Sequence, residues 1–517
     1  MVERSLHCYR EKNIMNIIKA NNITIFGGGT SGWLAAVYLV HNIKFPCKIT
    51  LIESTKIGPI GVGEGTQPAT ARYLYDAGLV PKQWMKPSKA AFKLGVEFEG
   101  WADKNFFVDN DFIENTQIGP DFYTTDYFVD KSTDDYLDWL PAYQLSKHNK
   151  SPKLAGLDTN FGLTGDRQYG AVHFAAFDIV DTLRNIVGNR IQYFDTEIVE
   201  VKTNNNGIES LKDKDGNLHT ADLFIDCTGF GSTLLEKNLG VEFTSVTDIL
   251  PCDRAVAMPK QYSDPQRECH PYTKATTMKA GWRWTIPIFT RIGNGYVYSS
   301  KFISPEEAEK ELRDAIGEYD APANHLQMKC GIHKVIAHKN VVAAGLSAGF
   351  VEPLEATGIT FTTKAIEILT GLLNQTQGIW HNQNKTILNE LYARSFWEIV
   401  AFIWAHYHFS TRKDTAFWKA IHDQTADQIP QGILDVIARF TPSPAREFYL
   451  YPESTFHVGH WFQVLHPSGM YKDHPAILKG DQEKYAKYFV ENNDYRVKKI
   501  IEMFPNHYDY LKKWYDE

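Results

Sequence analysis

Between residues 22 and 53 the chain sets out a strand, a glycine turn, a helix and a second strand ending in an acid. Ile23-Thr24-Ile25-Phe26 reads as a buried strand and Gly27-Gly28-Gly29-Thr30-Ser31-Gly32 as the turn. Trp33-Leu34-Ala35-Ala36-Val37-Tyr38-Leu39 opens a helix, and Lys48-Ile49-Thr50-Leu51-Ile52-Glu53 is the second strand. This order leaves few choices: two parallel strands joined by a crossover helix, a βαβ unit. Gly27, Gly29 and Gly32 fit the GxGxxG spacing. The first glycine permits the tight turn, the second lets a pyrophosphate approach the backbone, and the third lets helix and strand pack closely. The helix N-terminus, with Thr30, Ser31 and Trp33, then faces the phosphates. Glu53 follows about 20 residues later, placed for a ribose hydroxyl.

Two later strands extend this unit. Asp222-Leu223-Phe224-Ile225-Asp226-Cys227-Thr228-Gly229 runs a buried strand into Thr-Gly, as in the second half of an FAD-binding module, and Asn340-Val341-Val342-Ala343-Ala344-Gly345 precedes another glycine-rich loop. No second GxGxxG offers a nicotinamide site, so FAD is the expected cofactor, without an obvious means of reducing it. Strand-rich segments recur at 190–227, with Asp215-Gly216 as a hairpin turn, and at 282–303, with Gly293-Asn294-Gly295 as another. From about residue 360 helical spacing takes over: Phe361, Ala365, Ile368, Leu369 and Leu372 share a face. The expectation is an α/β fold. Residues 15–375 form a two-layer FAD-binding box with inserted β-rich substrate segments, 376–517 a mainly helical covering region, and 1–14 a non-functional extension.

The totals exclude several functions. With 54 basic and 62 acidic side chains the net charge is −8, which argues against non-specific nucleic-acid binding. The six cysteines form no CxxC pair, so neither a zinc site nor a disulfide framework is indicated. Reduced thiols and a cytoplasmic location are expected, with no metal, and no apolar run reaches membrane-spanning length. A homo-oligomer is left open.

Trp282-Arg283-Trp284-Thr285-Ile286-Pro287 is the most distinctive hexapeptide. Alone, two alternating tryptophans read as strand packing. Together with Ile60-Gly61-Val62-Gly63-Glu64, the stretch Gly345–Ile359, and His406-Tyr407 followed by Asp414-Thr415-Ala416-Phe417-Trp418, it resembles the flavin-dependent tryptophan halogenase family, from about residue 22 to 420. The resemblance implies that reduced FAD, oxygen and a halide yield hypohalous acid. The acid passes through a tunnel to a lysine and then halogenates an electron-rich ring. It implies a separate flavin reductase as partner and an aromatic small molecule as substrate. Gly61, Val62, Gly63 and Glu64 correspond to the strap joining flavin and substrate regions, and Val199, Leu346 and Ile359 to further flavin contacts. Trp282, Trp284 and Pro287 would keep substrate from the flavin.

The catalytic lysine of the family matches Lys93. Read without the family, Phe92–Glu99 alternates as a half-buried strand whose polar face would hold Lys93, Gly95, Glu97 and Glu99, a solvated lysine. The family glutamate matches Glu355, which otherwise reads as a carboxylate favoured at a helix start. Thr357 and Gly358 begin that helix, where the family binds halide and where free N–H groups favour an anion in any case. Position 356 is alanine where well-known members carry serine. One hydroxyl fewer leads to the expectation that bromide or iodide is used more readily than chloride. Trp461 matches a substrate-side tryptophan, while Tyr449, Tyr451 and Glu453 read equally as anchors or loop residues. Asn105-Phe106-Phe107-Val108 lacks the family His-x-Phe, which favours another indole, phenol or heterocycle over free tryptophan. Two alternatives stand beside this reading: a single-component FAD aromatic hydroxylase and a non-catalytic flavin-binding protein.

Overall fold

The computed structural model describes residues 17–58, 64–110, 117–119, 122–152, 170–444, 450 and 454–516. Residues 1–14, Gly61, Val62, Gly63, Tyr449, Tyr451 and Glu453 lie outside them, as does the Glu64 side chain.

The strands Asn22–Phe26 and Lys48–Glu53 pair in parallel, joined by the helix Thr30–Asn42. They are the centre of a six-stranded sheet in the order Gln192–Asp195, Lys48–Glu53, Asn22–Phe26, Leu223–Asp226, Val341–Ala343, Ala337–His338. All neighbours are parallel except the last pair, which is antiparallel. A parallel sheet is covered on both faces, which explains unbroken apolar runs such as Leu223–Ile225 rather than alternation. The helices Ala176–Val187 and Gly358–Gln375 pack beside Thr30–Asn42.

A second, seven-stranded sheet runs Asn324–Gln327, Arg254–Lys260, Arg291–Tyr298, Gly281–Ile288, Thr273–Met278, Gly95–Glu99, Phe106–Asp109. The two tryptophans of the hexapeptide lie on Gly281–Ile288 and, with Ile286, share one face, because alternate residues of a strand do. The expected turn at Gly293-Asn294-Gly295 is not a turn. These residues sit inside Arg291–Tyr298, and the hairpin closes at Phe289-Thr290, between Ile288 and Arg291. Glycine has another purpose there. A Cβ on Gly295 would come 2.0 Å from the Trp284 ring, so the missing side chain is the space into which the indole of its cross-strand partner lies.

The expected strand 92–99 is also two. Ala91–Lys93 pairs with Ala171–Phe174 in a small three-stranded sheet, whereas Gly95–Glu99 belongs to the seven-stranded one. Leu94 between them donates its N–H to the Pro271 carbonyl at 2.6 Å. The break removes Lys93 from the polar face of Glu97 and Glu99 and buries it.

After residue 358 the chain is mostly helical. Asn382–His408 packs along Gly358–Gln375, and its apolar stretch 396–407 is buried throughout except for Trp397. The short strand Ile379–Trp380, just past the expected boundary at 375, pairs with Ile18–Lys19. The last helix, His507–Asp516, grips the backbone beside Lys93. His507 Nε2 accepts from the Phe92 N–H at 3.3 Å, and the Tyr515 hydroxyl donates to the Ala90 carbonyl at 2.6 Å. His507 Nδ1 donates to the Cys269 carbonyl, and burial lowers the imidazole to about 4, leaving Nε2 free to accept. Among the described residues no helix is long and apolar enough to cross a membrane, no cluster could hold a metal ion, and the five cysteines are unbridged.

Candidate active site

A cavity of about 550 Å³ runs from the glycine turn to Lys93. The glycines do what their spacing implies. Gly27 has φ +110°, closed to most side chains; a Cβ on Gly29 would meet only open space; one on Gly32 would lie 1.9 Å from the Gly27 carbonyl oxygen. The turn therefore packs tightly inward and stays bare toward the cavity, a fit to an incoming pyrophosphate at the N-terminus of Thr30–Asn42. Glu53 is in the cavity lining. Its Oε1 accepts from Arg184 at 2.8 Å and from the Tyr193 hydroxyl at 2.9 Å, while Oε2 faces Gly28. Arg184 and Tyr193, both absent from the sequence reading, thus fix the carboxylate. Thr30, Ser31, Leu346 and Ile359 also line the cavity. Trp33 is buried with its ring under the Arg184 guanidinium, and Val199 is 59% exposed; its neighbour Ile198 is the lining residue.

Trp282 and Trp284 stand in the cavity wall with ring centroids 6.3 Å apart. Trp282 is held from behind: its indole N–H donates to Glu352 Oε1 at 2.9 Å, and the Tyr407 hydroxyl donates to the same oxygen at 2.7 Å. Burial pushes the Glu352 carboxyl up to about 7, against these two hydrogen bonds. The sequence reading passed over Glu352. The Pro287 carbonyl accepts from His173 Nδ1 at 2.9 Å, and Thr273 Oγ1 lies 2.8 Å from Nε2. A carbonyl only accepts, so this buried imidazole carries its proton on Nδ1; burial and the nearby Lys93 charge hold its pKa well below the usual value.

Lys93 is 1% exposed and donates from Nζ to the Thr66 carbonyl at 3.0 Å. Burial lowers its pKa from 10.5 to about 8, while the Glu355 charge opposes the fall. Glu355 is fully buried, and its Oε1 lies 2.9 Å from His406 Nε2, a charge contact not aligned well enough to count as a hydrogen bond. His406 Nδ1 faces the Phe402 carbonyl at 2.8 Å and must donate to it. A proton on Nε2 or Oε1 then prevents two lone pairs from opposing each other. His406 entered the sequence reading only as part of a motif; nothing local marks it as the partner of a residue about 50 positions earlier.

Thr357 precedes the helix Gly358–Gln375, whose first turn has no side-chain cap. The hydroxyls of Thr357 and Thr360 are buried and unpartnered, and Ala356 holds a left-handed φ of +54°. Unsatisfied donors at a helix N-terminus are what a dehydrated anion needs. Gly358 and Ala356 line the cavity, whereas Glu355 and Thr357 do not. Trp461 is elsewhere: it stacks on Phe440 at 4.3 Å and lines a separate cavity of about 200 Å³.

A parallel sheet with a bare glycine turn, opening on a buried lysine, defines an FAD-binding α/β enzyme of the halogenase class. The sequence profile of the tryptophan halogenase family matches residues 22–482, and the chain belongs to that family. It is 33% identical to the tryptophan 6-halogenase SttH of Streptomyces toxytricini, covering 96% of this chain and 99% of that protein. It is 32% identical to the tryptophan 7-halogenase RebH of Lentzea aerocolonigenes, covering 78% and 79%. The solved structure of SttH superposes with a TM-score of 0.85 over 96% of this chain and 99% of that one, at 31% identity. A flavin-dependent halogenase from Xanthomonas campestris, Xcc4156, superposes with the same TM-score of 0.85 at 27% identity, over 96% and 98%. The chain is accordingly a flavin-dependent halogenase.

Proposed function

We propose that this halogenase acts on an electron-rich aromatic ring at Lys93 and Glu355, with FAD along the glycine turn and halide at the N-terminus of Gly358–Gln375. The single observation that carries this is the buried lysine with lowered pKa at the far end of the cavity that begins at the glycines. Bound reduced FAD would supply, from oxygen and halide, a hypohalous acid; a partner reductase would supply the reduced flavin.

The protein's own residues do the rest. Gly29 leaves the turn bare toward the pyrophosphate while Gly27 and Gly32 hold the turn's shape, and Glu53, braced by Arg184 and Tyr193, takes a ribose hydroxyl through Oε2. Trp282 and Trp284 fill the wall of the passage, with Glu352 and Gly295 keeping their rings in place. Lys93 intercepts the oxidant. With a pKa near 8, about one amine in ten is neutral and nucleophilic at pH 7, against roughly one in 3,000 for an ordinary lysine. Glu355 accepts the proton the ring loses, and His406, 2.9 Å from its Oε1, holds the carboxylate in place. Residues 376–517, through Asn382–His408 and the helices that follow, cover this end.

Ala356 supports bromide or iodide over chloride, because a site with fewer hydroxyls compensates poorly for dehydrating the smaller anion. The experiment is mass spectrometry of an aromatic panel, tryptophan included, with FAD, NADH, a generic flavin reductase and equal chloride, bromide and iodide. Halogenated products that require reduced flavin support the reading, with the brominated or iodinated product in excess. Halide-independent oxygenation would replace it with the hydroxylase alternative. A dominant chlorinated product would refute the halide preference alone.

A further inference from the structure

Gln67 and Asn110 form a short hydrogen-bonded chain that ends on the backbone of Glu355. The Glu355 carbonyl can only accept, so the Gln67 group 2.5 Å from it is the Nε2 amide. That turns Gln67 Oε1 toward Asn110, where an oxygen requires a donor, and Asn110 Nδ2 supplies it at 3.1 Å. One carbonyl thus fixes the orientation of both carboxamides and leaves Asn110 Oδ1 as the remaining group. Among the described residues this oxygen has no hydrogen-bond partner, although Asn110 is 3% exposed.

The residue is also held in place. The Asn110 N–H donates to the Leu94 carbonyl at 2.8 Å, one residue from Lys93. Asp109 before it is clasped by Gln463, whose Oε1 accepts from the Asp109 N–H at 3.1 Å and whose Nε2 donates to Asp109 Oδ2 at 3.0 Å. Asn110 Oδ1 is therefore a fixed, buried acceptor, on a residue tied through its backbone to Leu94, next in sequence to Lys93, and through Gln67 to the backbone of Glu355. Leaving such an oxygen unpaired is costly, so a native orphan calls for an explanation, and a ligand that donates to it is one.

We propose that Asn110 Oδ1 accepts a hydrogen bond from a ring N–H or O–H of the substrate, which makes Asn110 a specificity-determining residue and selects aromatics that carry such a donor. The proposal rests on the halogenase reading and narrows it. An N-alkylated or O-alkylated ring would leave the oxygen unpaired as well as crowding it, and sites built on buried polar groups discriminate strongly against ligands that cannot pair them.

The test uses the FAD-loaded protein with indole and 1-methylindole, measured by calorimetric binding and by turnover. Indole should bind at least about tenfold more tightly and show a correspondingly higher kcat/KM. Asn110→Leu should bring the two ligands level. Asn110→Ala, which also lacks the acceptor but adds no bulk, should do the same, and it keeps the test valid if the leucine variant fails to fold. Equal affinity of the wild type for both ligands, or an unchanged preference in Asn110→Leu, would overturn the proposal. Discrimination in binding with no halogenated product from any ring would leave the Asn110 contact standing and remove the halogenase reading beneath it.

Discussion

Replacing Lys93 with methionine tests the central feature of the site through stability as well as activity. Folding lowers the Lys93 pKa from 10.5 to about 8, so the unfolded chain holds this proton more firmly than the native one. Below pH 8 both states are protonated, and the folded protein carries the full cost of a buried ammonium. Between pH 8 and 10.5 the unfolded chain binds more protons at this site, so native stability rises with pH. The fall in pKa corresponds to about 3 kcal/mol. With Lys93 1% exposed, solvent does little to screen it. The hydrogen bond to Thr66 also enters the absolute difference between wild type and Lys93→Met. The assay is urea unfolding of both proteins from pH 7 to pH 10.5 at fixed FAD. The difference between the two curves isolates Lys93, and over that range wild type should gain about 3 kcal/mol on the variant. Parallel curves would refute the reasoning, and with it the neutral amine on which the proposed chemistry rests. Lys93→Met should in addition bind FAD and consume oxygen while forming no halogenated product.

The turn offers a paired test: Gly32→Ala, whose Cβ would sit 1.9 Å from the Gly27 oxygen, should abolish FAD binding or soluble expression, whereas Gly29→Ala, facing open space, should fold with an unchanged melting temperature and bind FAD more weakly. Gly295→Ala should displace the Trp284 indole and release more hydrogen peroxide per flavin oxidised at a lower halogenation yield, measured by peroxide assay beside product analysis. His406→Leu, which leaves Glu355 without its contact at 2.9 Å, should lower kcat on the order of a hundredfold with FAD affinity unchanged in fluorescence titration; full activity would reduce His406 to packing.

Local chemistry made part of this architecture readable in advance. The βαβ unit at 22–53 is written in contiguous residues, each glycine with its own steric task, and the helix from Gly358 announces itself by its period. The misread segments depend on distant partners. Gly293–Gly295 has turn composition, but the space at Gly295 belongs to a tryptophan on the neighbouring strand. Lys93 looks solvated in the alternation of 92–99, and only the hydrogen bond from Leu94 to Pro271, nearly 180 residues away, breaks the strand and buries the amine. Arg184 on Glu53, Glu352 behind Trp282 and Gln67 on Glu355 are contacts between segments far apart in sequence, and no periodicity encodes them.

The grip of His507 and Tyr515 on the backbone around Phe92 also bears on how the protein is made. These partners are 415 and 425 residues apart in sequence. At about 5–20 residues per second, a ribosome needs roughly 20–80 s to travel that distance. Through that interval the strand carrying Lys93 exists without the helix that finally secures it. A nascent chain can therefore complete its nucleotide-binding sheet well before its lysine is locked in place, and the site for oxidative chemistry is set up only after the helix His507–Asp516 has emerged.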